Sequence, residues 1–224
     1  MKLYMHPVSM TSRPVRLFIA ESKIPVEEVT VDLFTGEHMK PPYAVMNPSS
    51  LVPMIEDDGF LLTESSAILK YLADKIGSPA YPKDLKARAK VNEVMDWINT
   101  NFYRDWAYNL CYPQVFPNNK RRSDEAQAAT IELGQKNSRR WLKVLNDHFI
   151  GPTNQYLCGN QITIADYFGA ALVTLGESIH IDFSAYPNIR RWLNNMKKLP
   201  SWSKVNEVFY GFVDSLKQQQ FQAI

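Results

Sequence analysis

This 224-residue sequence largely lacks the short motifs that are typical of metal-binding, nucleotide-binding or membrane-spanning proteins. Its two cysteines, Cys111 and Cys158, form neither a CxxC pair nor a disulfide framework, which is typical of a reducing, cytoplasmic compartment. No apolar run is long enough to cross a bilayer, and the residues after Met1 lack the apolar region of a signal peptide. These absences argue against a secreted disulfide-rich domain and against a membrane partner.

The sequence also has little excess charge and few histidines. The formal net charge is +2, and the densest basic run, at 120–122, is followed by Asp124 and Glu125, whereas nucleic-acid binding needs basic residues concentrated on one face. The histidines at 6, 38, 148 and 180 form no i, i+4 pair, and no glycine-rich nucleotide loop or P-loop is present. We therefore predict no nucleic-acid partner and no metal site.

What the chain does contain, over residues 1–77, is an alternation of strand and helix patterns. The apolar periodicity predicts a strand over 3–5, a helix over 13–22 and a strand over 26–31. Asp-Gly at 58–59 lies between two apolar runs, which indicates a β-hairpin, and a further helix ends at Gly77. The order is βαβ followed by ββα, which predicts a mixed four-stranded sheet.

Beyond Gly77 the strand patterns disappear. Residues 78–84 are a proline-containing linker, and residues 85–224 show only helical patterns. Long helices are predicted near 91–102 and 124–149, and the apolar segment 164–175 is typical of a helix buried in the centre of its domain. The predicted organisation is therefore a small α/β domain over 1–77, the linker, and an all-helical domain over 85–224.

Two clusters of hydroxyl groups precede predicted helices. Ser9, Thr11 and Ser12 follow the first strand, where a loop at the carboxyl end of a strand often binds a ligand. Glu64 and Ser65 begin the third helix, where free N–H groups could bind an anion. Either cluster could instead cap its helix, because Ser, Thr and acidic side chains are favoured at helix N-termini.

The order of several motifs resembles a cytosolic glutathione S-transferase. These motifs are Val52-Pro53 ahead of the hairpin, Glu64-Ser65 at the third helix, and a Thr-Ile-Ala-Asp capping box at 163–166 in the helical domain. The chain is most similar to the delta/theta classes, which use a serine near the amino terminus, and 112–116 resembles a delta-class segment. The resemblance implies a thioredoxin-like first domain, glutathione as co-substrate and a homodimer.

The resemblance also implies how glutathione is bound. The Val52 backbone, before a cis Pro53, would pair with the cysteinyl residue, and Glu64 and Ser65 would hold the γ-glutamyl end. Ser50 stands where delta-class members often have a histidine. The residues assigned to glutathione in this way are His38, Lys40, Ser50, Leu51, Val52, Pro53, Glu64, Ser65 and Ser66.

The catalytic hydroxyl follows from the same resemblance, because the serine lies four residues before an arginine of the first helix. Counting from Arg13 gives Ser9, our first choice; counting from Arg16 gives Ser12, and Thr11 ranks third. A hydroxyl that donates to the glutathione sulfur would favour the thiolate. The predicted reaction is conjugation to apolar electrophiles. The alternatives are glutathione-dependent peroxide or disulfide reduction, and a non-catalytic ligand-binding relative.

The electrophile pocket is predicted from an aromatic-rich stretch that also includes Tyr108. Side chains at helical spacing in such a stretch either line an apolar site or pack in the core. The predicted pocket residues are Phe102, Tyr103, Trp106, Tyr112 and Phe116.

Overall fold

The first domain is built on a four-stranded sheet. A computed structural model describes residues 1–224 and contains β1 (Lys2–Met5), β2 (Glu27–Thr30), β3 (Met54–Asp57) and β4 (Phe60–Thr63) in the order β2-β1-β3-β4. Strand β1 pairs in parallel with β2 and antiparallel with β3, and β3 pairs antiparallel with β4. The predicted mixed sheet is therefore confirmed.

Three helices accompany the sheet: α1 (Ser12–Glu21), the short α2 (Tyr43–Met46) and α3 (Ser65–Lys75). Helices α1 and α3 form because their apolar residues recur at helical spacing and are buried in the domain core. The hairpin turns at Asp58 and Gly59, which both have positive φ, as a tight two-residue β-turn of this kind requires.

The second domain is entirely helical apart from an isolated bridge between Tyr156 and Gly159. Its first helical run begins with α4 (Leu85–Trp97), continues through wider turns over Ile98–Phe102 and Arg104–Cys111, and ends with α5 (Tyr112–Val115). The remaining helices are α6 (Asp124–Val144), α7 (Ile164–Val173), α8 (Pro187–Lys197) and α9 (Trp202–Ser215). None of them has the length and apolar character needed to cross a membrane.

Helix α7 lies at the centre of this domain, and every residue of it is buried. The predicted capping box is present: the Asp166 carboxylate accepts hydrogen bonds from the N–H and the hydroxyl of Thr163, at 2.7 and 3.0 Å. Asp166 also accepts from the Leu157 N–H at 2.7 Å and from the Trp192 indole at 2.9 Å. Burial raises the pKa of the Asp166 carboxyl to about 6.

The side chain of Arg13 joins the two domains. Its guanidinium is fully buried, donates to Asn206 Oδ1 at 2.7 Å, to the Ala171 carbonyl at 3.1 Å and to Thr174 Oγ1 at 3.0 Å, and lies over the Phe209 ring. Burial lowers its pKa to about 10. Helix α1 is therefore held against α7 and α9 by a cation whose hydrogen bonds are made by neutral groups.

Candidate active site

The loop between β1 and α1 brings two of the predicted hydroxyl groups to the surface of the first domain. Ser9 is half-buried, and its backbone is fixed by hydrogen bonds to His6 and from Arg13, both at 3.0 Å. Its Oγ accepts a hydrogen bond from the Ser12 N–H at 3.2 Å and lies 3.1 Å from Thr11 Oγ1. Ser9 and Thr11 are thus adjacent, with part of each side chain exposed.

Ser12 is placed differently from the other two hydroxyl groups. Its side chain is fully buried in the first turn of α1, and its Oγ has no hydrogen-bond partner. A sulfur atom of a ligand bound at the surface of the loop could not reach it. Of the three candidate hydroxyls, only Ser9 and Thr11 are accessible.

The alternative expectation, that Thr11 or Ser12 caps α1, is wrong. Thr11 occupies the N-cap position but makes no side-chain capping bond. Its hydroxyl instead donates to the Val52 carbonyl at 2.8 Å, and the Ser9 Oγ accepts from the free N–H of Ser12 in its place. The capping prediction failed because the Thr11 hydroxyl has a partner 41 residues away in the sequence.

The Val52-Pro53 peptide bond is cis, as the resemblance implied. Val52 presents backbone groups beside residues 6–11, the loop between β1 and α1 that carries Ser9 and is called the serine loop below. Its carbonyl accepts from Thr11, whereas its N–H donates no hydrogen bond within the chain. An unpaired N–H next to an accepting carbonyl can pair with the extended backbone of a peptide ligand. The site therefore has a backbone edge suited to a short peptide.

Two residues that no sequence motif singled out hold the segment before Val52 in place. Asn47 Nδ2 donates to the Leu51 carbonyl at 2.7 Å, and the Tyr43 hydroxyl donates to the same oxygen. Asn47 is buried, which the sequence does not show. The only local signal is the Asn47-Pro48 dipeptide, which is typical of turns. The Leu51 side chain is exposed, and Ser50 has a positive φ.

The start of α3 is uncapped. Glu64 precedes the helix with φ +65° and makes no side-chain capping bond, and the first helical bond runs from Ile68 to Glu64 at 2.9 Å. The N–H groups of Ser65, Ser66 and Ala67 consequently have no partner within the chain. The capping interpretation is therefore wrong here too, and three free N–H groups at a helix start attract an anion.

His38 and Lys40 lie earlier in the chain, between β2 and α2: His38 in the turn Glu37–Met39 and Lys40 directly after it. His38 is half-buried with an unpaired Nδ1, whereas Lys40 is exposed and only its backbone and a 3.4 Å contact to the Thr35 carbonyl hold it locally. Neither side chain makes a hydrogen bond to the serine loop or to α3. Their role in ligand binding stays a prediction.

The aromatic stretch of the helical domain divides between core and surface. Phe102 and Trp106 are fully buried and stacked at 5.2 Å, and the Trp106 indole donates to the Leu172 carbonyl at 3.1 Å. Both side chains belong to the core around α7, so the expectation that they line a pocket is corrected. Helical spacing alone did not distinguish these two residues from their neighbours.

The other aromatic residues form a connected cluster that reaches the surface. Tyr103 and Tyr112 are joined through their hydroxyl groups, and burial raises the pKa of both phenols. Tyr108 packs edge-on against both rings, at 5.6 and 5.1 Å, and is half-exposed. The ring of Phe116 contacts Tyr112 and stacks on Phe212 of α9 at 5.4 Å.

Phe212 and Tyr108 connect this aromatic cluster with other parts of the fold. Phe212 was not predicted, because it lies about a hundred residues from the rest and only the fold brings it to Phe116. Burial raises the pKa of the Tyr108 phenol, and the charge of Glu64 raises it further. Tyr108 of the helical domain and Glu64 at the start of α3 therefore lie close enough to interact electrostatically.

Comparisons with known proteins agree with this arrangement. Residues 1–74 match the model of the glutathione S-transferase N-terminal domain, and residues 113–200 match that of the C-terminal domain. Glutathione S-transferase theta-1 of the mouse is 33% identical over 207 residues, which cover 88% of this chain and 82% of the mouse protein.

Solved structures that are similar over nearly the whole chain include two glutathione transferases. A diazinon-metabolizing glutathione S-transferase of the silkworm Bombyx mori has 33% identity and a TM-score of 0.79, with 97% of this chain and 98% of that chain covered. Human glutathione transferase theta-2, in complex with glutathione and an unknown ligand, has 26% identity and a TM-score of 0.86, with 99% and 92% covered.

The chain thus combines a thioredoxin-like domain, in which the Val52 N–H is free to pair with a peptide, with a helical domain that carries an aromatic cluster. The chain belongs to the glutathione S-transferase family, and its relatives include the theta class. It is accordingly an enzyme, a glutathione transferase.

Proposed function

We propose that this enzyme transfers the glutathione thiolate to apolar electrophiles, and that the Ser9 hydroxyl stabilises that thiolate. The observation that carries the proposal is the juxtaposition of Ser9, the free Val52 N–H and the uncapped start of α3. Val52 and Glu64 are brought together because β3 and β4 pair at Met54 and Thr63. The cysteinyl backbone would pair with Val52, which brings the sulfur to Ser9. The γ-glutamyl carboxylate would lie on the N–H groups of Ser65 and Ser66, and its ammonium group on Glu64.

The chemistry follows from the acidity of a thiol. A free thiol has a pKa of about 8.5, so little of it is ionised at neutral pH. A hydroxyl that donates to the sulfur, together with the N-terminus of α1, favours the anion and lowers this pKa. The thiolate attacks an electrophilic carbon, a carbon–sulfur bond forms, and the leaving group departs with the bonding electrons.

The second substrate would bind against the exposed members of the aromatic cluster. Tyr108 is half-exposed, and the partly buried rings of Tyr112, Phe116 and Phe212 continue from it as one connected apolar surface. Holding both reactants side by side removes much of the entropic cost of a bimolecular step. The direct experiment mixes the purified enzyme with glutathione and a panel of alkyl and aryl halides, and mass spectrometry detects thioether products. Absence of every thioether would contradict the proposal.

Ser65→Ala is expected to weaken glutathione binding about 5- to 30-fold, because a hydroxyl that meets a charged ligand group contributes roughly 1–2 kcal/mol. Ser65 is buried beside the free N–H groups, and its Oγ makes no hydrogen bond within the chain. Isothermal titration with glutathione measures the change. Ser203→Ala, an exposed serine in the first turn of α9, is the matched control. Equal affinity in both variants would remove Ser65 from the binding site.

We further propose that the enzyme is a homodimer. β4 is an edge strand of the sheet and exposes Phe60 and Leu61, about half of each side chain being accessible, which is unusual for a free edge. Analytical ultracentrifugation is expected to give twice the mass of the chain, and Phe60→Asp to give the monomer. Phe34→Asp, an exposed aromatic beyond the opposite edge strand, should leave the mass unchanged. A monomeric wild type would contradict the proposal.

A cytoplasmic location is part of the same proposal. Both cysteines are free, Cys111 being buried and Cys158 half-buried. Unpaired thiols of this kind are typical of proteins in a reducing compartment.

A further inference from the structure

The Thr11 hydroxyl lies between two groups of the proposed glutathione site. It is 2.8 Å from the Val52 carbonyl oxygen and 3.1 Å from Ser9 Oγ. Val52 would bind the backbone of the tripeptide, and Ser9 would bind its sulfur. Thr11 therefore contacts both the group that would bind the tripeptide backbone and the group that would bind the tripeptide sulfur.

The direction of these hydrogen bonds follows from the number of protons. A carbonyl oxygen only accepts, so the single Thr11 proton is directed to Val52. In the contact between the two hydroxyls Ser9 must then be the donor, while its Oγ accepts from the Ser12 N–H at 3.2 Å. Without a ligand, the proton that would stabilise the thiolate is thus donated to Thr11.

Binding of the tripeptide changes both partners of Thr11. The cysteinyl N–H would donate to the Val52 carbonyl, and the sulfur, as an anion, is a stronger acceptor for the Ser9 proton than a neutral hydroxyl. Once Ser9 donates to the sulfur, its oxygen has a lone pair free at 3.1 Å from Thr11. The Thr11 proton can then turn from Val52 to Ser9.

We propose that Thr11 is a positioning residue that donates to Ser9 in the glutathione complex and so makes Ser9 a better donor to the thiolate. In this arrangement the Ser9 oxygen accepts from both the Ser12 N–H and the Thr11 hydroxyl. Hydrogen bonds in such a chain polarise and strengthen one another. The inference rests on the proposed role of Ser9, because Thr11 acts on the sulfur only through that residue.

The test measures the pKa of glutathione bound to the enzyme, from the ultraviolet absorbance of the thiolate against pH. Thr11→Val removes the hydroxyl at nearly constant volume and is expected to raise this pKa by about half a unit, a roughly threefold loss of thiolate below the pKa. Thr11→Ser, which keeps the hydroxyl, should restore the wild-type value. Thr100→Val is the matched control, since its hydroxyl also donates to a backbone carbonyl but lies on an exposed helix face of the second domain.

Two further measurements distinguish this role from a structural one. In a Ser9→Ala background, Thr11→Val should cause no additional rise of the thiol pKa. The affinity for S-methylglutathione, which has no ionisable thiol, should change less than twofold in Thr11→Val. A folded Thr11→Ser that behaves like Ser9→Ala would also overturn the relay, and this variant covers the case in which Thr11→Val fails to fold.

The outcomes separate the two proposals. If Ser9→Ala raises the thiol pKa and Thr11→Val leaves it unchanged, the relay is overturned and the role of Ser9 stands. If Thr11→Val raises the pKa equally with and without Ser9, the relay is likewise overturned. If Ser9→Ala leaves the pKa unchanged, both the proposed mechanism and this inference fail.

Discussion

Ser9→Ala is expected to lower kcat/KM for conjugation about 10- to 100-fold near neutral pH. A hydrogen bond to a charged group contributes about 1.5–3 kcal/mol, and each 1.4 kcal/mol is a factor of ten. The pKa of bound glutathione should rise by about one to two units for the same reason. Affinity for glutathione should change little, because the Val52 backbone and the start of α3 are unaltered. Steady-state kinetics over a pH series gives both quantities.

Ser12→Ala is the comparison for this experiment. Its Oγ is fully buried and has no partner, so its removal takes no hydrogen bond from the protein or from a ligand. The expected loss of activity is therefore far smaller than for Ser9→Ala. Equal activity of the wild type and Ser9→Ala would remove Ser9 from the mechanism, and a larger loss in Ser12→Ala would reverse the assignment.

Asp166→Asn should strongly lower the free energy of unfolding. The carboxylate is fully buried and accepts four hydrogen bonds, from Leu157, Thr163 and Trp192. An amide has one acceptor oxygen, and its NH₂ group would face donors. Breaking a buried charged network in this way costs about 3–5 kcal/mol, which chemical denaturation measures.

Asp182→Asn is the matched control, since Asp182 is exposed and accepts from the Ser184 N–H at 2.8 Å. We expect it to lower the free energy of unfolding by less than about 1 kcal/mol.

The pH dependence of stability is a second check. The folded pKa of Asp166, about 6, lies above the value of about 3.9 for an unfolded aspartate, so the folded state binds the extra proton. The contribution of Asp166 to stability should fall as pH rises from about 4 to 6 and stay constant above. A loss in Asp166→Asn no larger than in Asp182→Asn would contradict the prediction.

The periodic parts of the fold could be predicted from the sequence because their signals are local. The strand patterns, the turn at Asp58-Gly59 and the capping box at Thr163 and Asp166 each depend on residues a few positions apart. The order of motifs then identified the family, and with it the cis Val52-Pro53 bond.

The features that were predicted wrongly or not at all depend on long-range contacts. Thr11 does not cap α1, because Val52 offers its hydroxyl an acceptor. Trp106 is a core residue because Gly176 leaves room for its ring: a Cβ at Gly176 would lie 2.3 Å from a ring atom. Helical spacing predicts which face of the helix carries Trp106, but it does not predict which element packs against that face. The same holds for Phe212, which closes the aromatic cluster from α9.

The buried guanidinium of Arg13 has a consequence for exchanging parts between related enzymes. Ser9 precedes the helix that Arg13 anchors, and its anchor points, Asn206 and Thr174, are contributed by the other domain. A chimaera that takes its amino-terminal half from one relative and its carboxyl-terminal half from another must therefore inherit matching acceptors. Without them an unsolvated cation would be left buried beneath the loop between β1 and α1, so the two halves must be inherited together.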